Sequence, residues 1–132
     1  MTEKEIRQLI SIALDALKNS YAPYSNFNVG AALLTTKGNV YRGCNIENAA
    51  ASPTICAERT AIYCAMNNGE NKFKAIAIVG GKNGNCNEFC PPCGVCRQVM
   101  KEFCGKDFLV IFGDKNLNYK TYLLDQLLPH AF

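Results

Sequence analysis

The sequence contains no apolar run near the roughly 18 residues that cross a bilayer, which predicts no membrane span. It also lacks any block of like charge. Fourteen Lys and Arg stand against 11 Asp and Glu for a net charge of +3, and the basic residues are spread along the chain. With no basic stretch to follow a phosphate backbone, no nucleic-acid partner is predicted. No internal repeat, linker or low-complexity segment interrupts the 132 residues, which fit one domain, 1–132, around one core. Met1–Leu17 mixes acidic and basic residues among its apolar positions, unlike a secretion signal. That predicts a cytoplasmic protein. Histidine is nearly missing: His130, next to the C-terminus, is the only one.

A composition 48% hydrophobic and 19% charged is that of an ordinary globular protein. Cysteine is abundant, with eight residues. In a small secreted chain an even number would suggest disulfides, but in a cytoplasmic one thiols stay reduced. Metal binding or catalysis is therefore the first reading.

Thr2 and Glu5 form a capping-box pattern, and Ile6, Leu9, Ile10, Ala13, Leu14 and Leu17 recur at helical spacing. This predicts an amphipathic helix to about Lys18. A loop over Asn19–Asn28 follows, then strands Val29–Thr35 and Val40–Cys44 joined by Thr36-Lys37-Gly38-Asn39. A loop to Thr54 precedes a helix over Ile55–Asn67, ended by Gly69. Lys74–Val79 reads as a strand closed by Gly80-Gly81, and Lys82–Pro92 as a polar loop. A helix over Cys93–Phe103, strands Asp107–Phe112 and Tyr119–Leu123, and a short helix Leu124–Leu128 complete the order. This order predicts a three-layer α/β/α architecture on a five-stranded mixed sheet. The short connection Gly113–Asn118 cannot make a parallel crossover, so the last two strands should be antiparallel.

Two separated thiol motifs carry the chemistry: Cys56-Ala57-Glu58-Arg59 and Pro92-Cys93-Gly94-Val95-Cys96-Arg97, each opening a predicted helix. Cysteines three apart in a helix's first turn share a face, so Cys93 and Cys96 can grip one ion, with Cys56 as a third ligand. Three protein ligands leave zinc one open tetrahedral position, as in catalytic sites. Helix N-termini favour thiolates, because the positive end of the macrodipole offsets their charge. Arg59 can donate hydrogen bonds to the sulfurs, and Glu58 is the carboxylate available as proton acceptor. Residues i and i+2 do not face each other along a helix flank, so Cys56 and Glu58 converge only if the metal sits off the helix end.

Other readings of these residues stand beside this one. A Cys-x-x-Cys pair alone can be a redox dithiol or half a structural zinc knot, and Cys90-Pro91-Pro92-Cys93 mimics a redox motif. Cys86 and Cys90 could complete a four-cysteine structural site. Cys44, Cys64 and Cys104 read as buried small apolar side chains. Arg97 fits a helix surface or subunit contact as well as a site. Unaided, Phe27 reads as core, Asn45 as a turn former and Glu47 as a solvated loop acid.

Cys-Ala-Glu-Arg followed, after residues 60–92, by Cys-Gly-x-Cys-Arg resembles the small homotetrameric zinc-dependent cytidine deaminase family. The likeness includes Tyr21-Ala22-Pro23-Tyr24-Ser25, Val29-Gly30-Ala31-Ala32-Leu33, Gly43-Cys44-Asn45-Ile46-Glu47-Asn48-Ala49 and Leu127-Leu128-Pro129. The polynucleotide-editing branch usually has His-x-Glu where this chain has Cys-x-Glu, so the resemblance is to the free-nucleoside branch. It implies one Zn²⁺ per chain on Cys56, Cys93 and Cys96, hydrolytic deamination of cytidine and deoxycytidine, and a role in pyrimidine salvage. It further implies Glu58 protonating N3 of the pyrimidine while zinc-activated water adds to C4 and ammonia leaves. Phe27 becomes a wall for the base, Asn45 and Glu47 partners of the ribose hydroxyls, and Ala57 a substrate contact. Phe132 would reach the base in a neighbouring subunit of a homotetramer with shared active sites. One departure is Ala51, where many relatives carry an aromatic beside the sugar. Three rivals remain at this stage: a deaminase of another cytosine-bearing small molecule such as blasticidin S, a non-catalytic structural zinc-binding module, and a redox protein with a reversible Cys90–Cys93 disulfide.

Overall fold

The computed structural model describes all residues, Met1–Phe132. Helix α1 spans Glu3–Leu17, and the capping box of Thr2 and Glu5 closes its first turn in both directions. Strands β1 (Phe27–Thr35) and β2 (Val40–Cys44) form the hairpin, turning at Gly38, whose φ of 91° suits a residue without Cβ. Helix α2 (Ala57–Asn67), strand β3 (Phe73–Lys82), helix α3 (Gly94–Phe103), strands β4 (Leu109–Gly113) and β5 (Tyr119–Leu123), and helix α4 (Leu124–Leu127) follow. The sheet order is β2-β1-β3-β4-β5. Only β3 and β4 are parallel, and β4–β5 is the expected antiparallel hairpin.

Side chains alternate across the sheet and so divide the core in two. Ala31, Leu33, Ile76, Ile78, Val110 and Phe112 face α2, α3 and α4. Ala32, Ala75, Ala77, Val79 and Ile111 face α1. This is the three-layer arrangement. Because α2 and α3 share one apolar cluster, through Ala61, Ile62, Cys96 and Met100, they lie on the same face of the sheet. That places both thiol-bearing segments on one side of the molecule.

Several boundaries differ from the sequence reading, among them β4, which runs over Leu109–Gly113 rather than Asp107–Phe112, and α3, which starts after Cys93; three others have a clear cause. Strand β1 begins at Phe27 rather than Val29, because Phe27, Asn28 and Val29 pair with Lys82, Gly81 and Gly80 of β3, while on the other edge the Asn45 side chain bonds the main chain that β2 leaves at Cys44. Strand β3 runs through Gly80-Gly81 to Lys82 instead of ending before them. Those glycines serve close approach: a Cβ on Gly80 would lie 2.8 Å from Cys90 Sγ, and one on Gly81 would lie 1.8 Å from the Asn85 carbonyl oxygen. Helix α2 starts at Ala57, since Ile55 pairs with Ile46 in an isolated bridge. Cys64, expected to be buried, is exposed.

Candidate metal and active site

Cys56 and Cys93 are the N-cap residues of α2 and α3, both with extended backbone. Neither side chain caps its own helix. Their sulfurs instead meet 3.7 Å apart, and Cys93 Sγ lies 3.5 Å from Cys96 Sγ. All three sulfurs fall within 4.8 Å of one another, and they form the one such cluster of ligating groups in the chain. The N-cap position of Cys56 answers the geometric difficulty of its spacing to Glu58, because an N-cap side chain projects off the helix end rather than along its flank.

The donor set fits zinc. Four ligands at about 2.3 Å in a tetrahedron stand roughly 3.8 Å from one another, close to the spacings of these sulfurs. All-thiolate ligation suits this borderline-soft ion. Arg59 Nη2 donates to Cys56 Sγ at 3.3 Å, an interaction made strong only by a thiolate. Arg59 is itself held firmly protonated, first by this bond to Cys56. Its Nε is buried without a protein partner.

Cys56 ionises before Cys96. The hydrogen bond from Cys96, with those from Arg59 and Cys93, holds it down at about 5 against the opposing effect of burial. Cys96 moves the other way, because it is the donor to Cys56 and is buried. The contact thus favours the thiolate on Cys56 and the thiol on Cys96. A divalent cation among them inverts that balance and deprotonates coordinating thiols.

Glu58, in the first turn of α2, is only 4% exposed. Burial, chiefly, lifts its carboxyl to about 7, with the Cys56 charge acting in the same direction. A carboxyl balanced near neutrality can hold a proton and also release it. Ala57, fully buried, packs its methyl group in the core. What it can offer a ligand is its N–H, which as the first residue of α2 has no intrahelical acceptor.

Phe27, Asn45 and Glu47 gather around the N-terminal end of β1. Phe27 is half exposed, while Asn45 is buried. The Asn45 amide acts as a substitute peptide group: Oδ1 accepts Val29 N–H at 2.9 Å, and Nδ2 donates to the Phe27 carbonyl at 2.8 Å. Ser20 Oγ also donates to Asn45 Oδ1 and accepts from Asn28 Nδ2 at 3.0 Å. Glu47 Oε1 accepts the N–H groups of Tyr24 and Ser25 at 2.9 and 3.1 Å, and Oε2 accepts the Ser25 hydroxyl. These bonds, that of the Ser25 hydroxyl foremost, hold the Glu47 carboxyl below its ordinary range.

Phe132 lies apart from this group and is 98% exposed. Ala51 is exposed, and its carbonyl accepts Thr54 N–H. Cys86 and Cys90 stand outside the sulfur cluster, and all eight cysteines carry free thiols. Burial pushes the Cys90 thiol up to about 12, unfavourable for a ligand or a redox nucleophile. Arg97 has a defined part: its Nε donates to the Pro92 carbonyl and its Nη1 to the Leu127 carbonyl, each at 2.8 Å. It thereby ties the turn that presents Cys93 to the end of α4. Ser20 and Ser25 were not singled out from sequence; the only signal was the place of Ser25 in Tyr21-Ala22-Pro23-Tyr24-Ser25.

Comparison with known proteins agrees with this geometry. Residues 3–112 match the family model described as the cytidine and deoxycytidylate deaminase zinc-binding region. The chain is 43% identical over 128 residues to the cytidine deaminase of Sporosarcina psychrophila, covering 97% of this chain and 91% of that protein. It is 44% identical over 126 residues to the cytidine deaminase of Halalkalibacterium halodurans, covering 96% and 92%. The crystal structure of cytidine deaminase from Burkholderia pseudomallei superimposes with a TM-score of 0.88 at 42% identity, covering 100% of both chains. The match of family model, sequence and fold over nearly the whole length, on a chain whose three thiols converge beside a buried glutamate, places it in the zinc-dependent cytidine and deoxycytidylate deaminase family.

Proposed function

We propose that the protein hydrolyses free cytidine and deoxycytidine to uridine and deoxyuridine with release of ammonia, as a step of pyrimidine salvage. The observation that carries this reading is the cluster of Cys56, Cys93 and Cys96 at two helix starts, with buried Glu58 in the first turn of α2. When bound by the three sulfurs, zinc supplies the Lewis acidity that makes water a nucleophile near neutral pH. Glu58 takes the proton from that water at its carboxylate and passes it to N3 of the pyrimidine, which makes C4 electrophilic. A second proton, from the oxygen that has bonded to C4, then passes through Glu58 to the amino group, so that the C4–N bond breaks with release of ammonia rather than amide. Arg59 offsets the thiolate charge through Cys56.

Polar capacity sets how the sugar is met. Both acceptor sites of Asn45 Oδ1 are filled by Val29 and Ser20, and one of its two N–H donors goes to Phe27. One donor remains. Glu47 has filled three of its four acceptor sites, leaving one. One donor beside one acceptor suits a sugar hydroxyl, which both gives and takes a hydrogen bond. The Phe27 ring, half exposed at the start of β1, supplies the base wall, and the free N–H of Ala57 faces the substrate.

Ammonia release from cytidine, measured on protein of known zinc content, tests the reading. Turnover that scales with bound zinc is expected; zinc-loaded protein that leaves cytidine intact contradicts it.

The working unit is a cytoplasmic homotetramer with shared active sites, in which Phe132 reaches the base bound by a neighbouring subunit. What supports this is an aromatic residue almost wholly exposed, together with exposed Tyr21, Tyr24, Ile46, Tyr63 and Val95. No helix is long and apolar enough to cross a membrane. Light scattering is expected to give four times the 14.5 kDa chain mass. Deleting Phe132 is expected to raise the KM for cytidine, and a fully active monomer would rule the shared site out.

A further inference from the structure

The hydroxyl of Ser25 joins the two ends of the proposed nucleoside site. It donates to Glu47 Oε2 and accepts the N–H of Phe27 at 3.0 Å. A serine hydroxyl has a single proton. With that proton committed to Glu47, the lone pairs of Oγ are turned toward Phe27 N–H. Asn26 makes the approach possible: its φ of 57° folds the chain back between Ser25 and Phe27, a conformation asparagine tolerates better than most residues. The other peptide group of Phe27 is held at its carbonyl by Asn45 Nδ2. Phe27 therefore hangs between two side chains, each continuous with a group proposed to bind the sugar.

On the Glu47 side, both sites of Oε1 are taken by main-chain N–H groups, so only Oε2 can meet a substrate. The direction of its remaining lone pair is set by the other bond it makes, the one from Ser25. Resting on the cytidine deaminase reading, we propose that Ser25 is a positioning residue whose hydroxyl couples sugar recognition at Glu47 to base recognition at Phe27. Ser25 is exposed, so its side chain adds no core packing. Its contribution is the orientation of two neighbours.

The test compares zinc-loaded wild type, Ser25→Ala and Ser25→Thr on cytidine and on 2′,3′-dideoxycytidine, which lacks the sugar hydroxyls. Ser25→Ala is expected to raise the KM for cytidine about five- to tenfold, as loss of one positioned hydrogen bond does, with kcat within about threefold. Cytidine loses alignment at both Glu47 and Phe27, and the dideoxy compound only at Phe27. The preference for cytidine in kcat/KM should therefore fall about fivefold. Ser25→Thr keeps the hydroxyl and should restore KM and preference together. An unchanged preference in Ser25→Ala, or a Ser25→Thr variant that melts like wild type yet matches the alanine kinetics, overturns the proposal. Wild type that is inactive on cytidine overturns the functional reading, and this inference with it; wild-type turnover with an unchanged preference overturns this inference alone.

Discussion

Glu58→Gln should keep its zinc and its fold while kcat for cytidine falls by about 10³-fold or more. The glutamine has nearly the shape of the glutamate it replaces, so the packing around this 4% exposed side chain is preserved. What disappears is the capacity to take, hold and return a proton. General acid–base transfer contributes about 10² to 10⁴ in rate, and the proposed reaction uses the same carboxyl at two steps. Stability should not suffer. Burial is the main force raising the Glu58 carboxyl to about 7, which means the site disfavours its charged form. Replacing it by a neutral amide relieves that opposition, so the melting temperature should be equal to wild type or slightly higher. Metal content, melting temperature and ammonia release, measured together, separate the alternatives. Activity within about tenfold of wild type, at equal zinc, would remove Glu58 from the proton pathway.

Replacing a zinc ligand should have a broader effect, on metal, activity and stability at once. Cys96 is fully buried and packs in the core cluster shared by α2 and α3, while its sulfur lies 3.5 Å from Cys93. Cys96→Ser exchanges a soft anionic donor for a hydroxyl that stays protonated near neutral pH. Zinc affinity should fall by more than the about 100-fold that loss of an outer hydrogen-bonding partner costs. Because a metal bound only by the folded chain stabilises it, weaker binding should appear as a lower melting temperature as well. Cys86→Ser and Cys90→Ser are the controls, since neither residue joins the sulfur cluster. Both should retain about one zinc per chain. Loss of metal from either would show that the site is a closed four-cysteine one, which leaves no open position for water and contradicts a catalytic role.

The elements with a strong local pattern were legible in the sequence. Thr2 and Glu5 announce α1, and the structure has both bonds of the capping box. The bounds of β2 and β5 coincide with their patterns, and the length of the Gly113–Asn118 connection alone required an antiparallel β4–β5 pair. The two thiol motifs named three candidate ligands by residue type and helical spacing. In each case the determining interaction lies within one turn or one hairpin.

Tertiary structure decided what depends on groups distant in sequence. Cys56 and Cys93 are 37 residues apart, and their sulfurs meet because α2 and α3 pack on the same face of the sheet. The start of β1 at Phe27 rests on its pairing with Lys82 of β3, and an amide 18 residues away, that of Asn45, holds its other edge. Gly80 and Gly81 look like a turn in the sequence, yet they extend β3 by pairing with Val29 and Asn28, and they are glycines because Cys90 and the Asn85 carbonyl occupy the space a Cβ would need. Arg97 and Ser25 gain their parts in the same way, through carbonyls and carboxylates 22 to 30 residues away. Periodicity and capping describe a chain's contacts with its own neighbours. A side chain that replaces a peptide group, or a sulfur that finds another across two helices, has no period to betray it, and only the assembled sheet brings such partners within bonding distance.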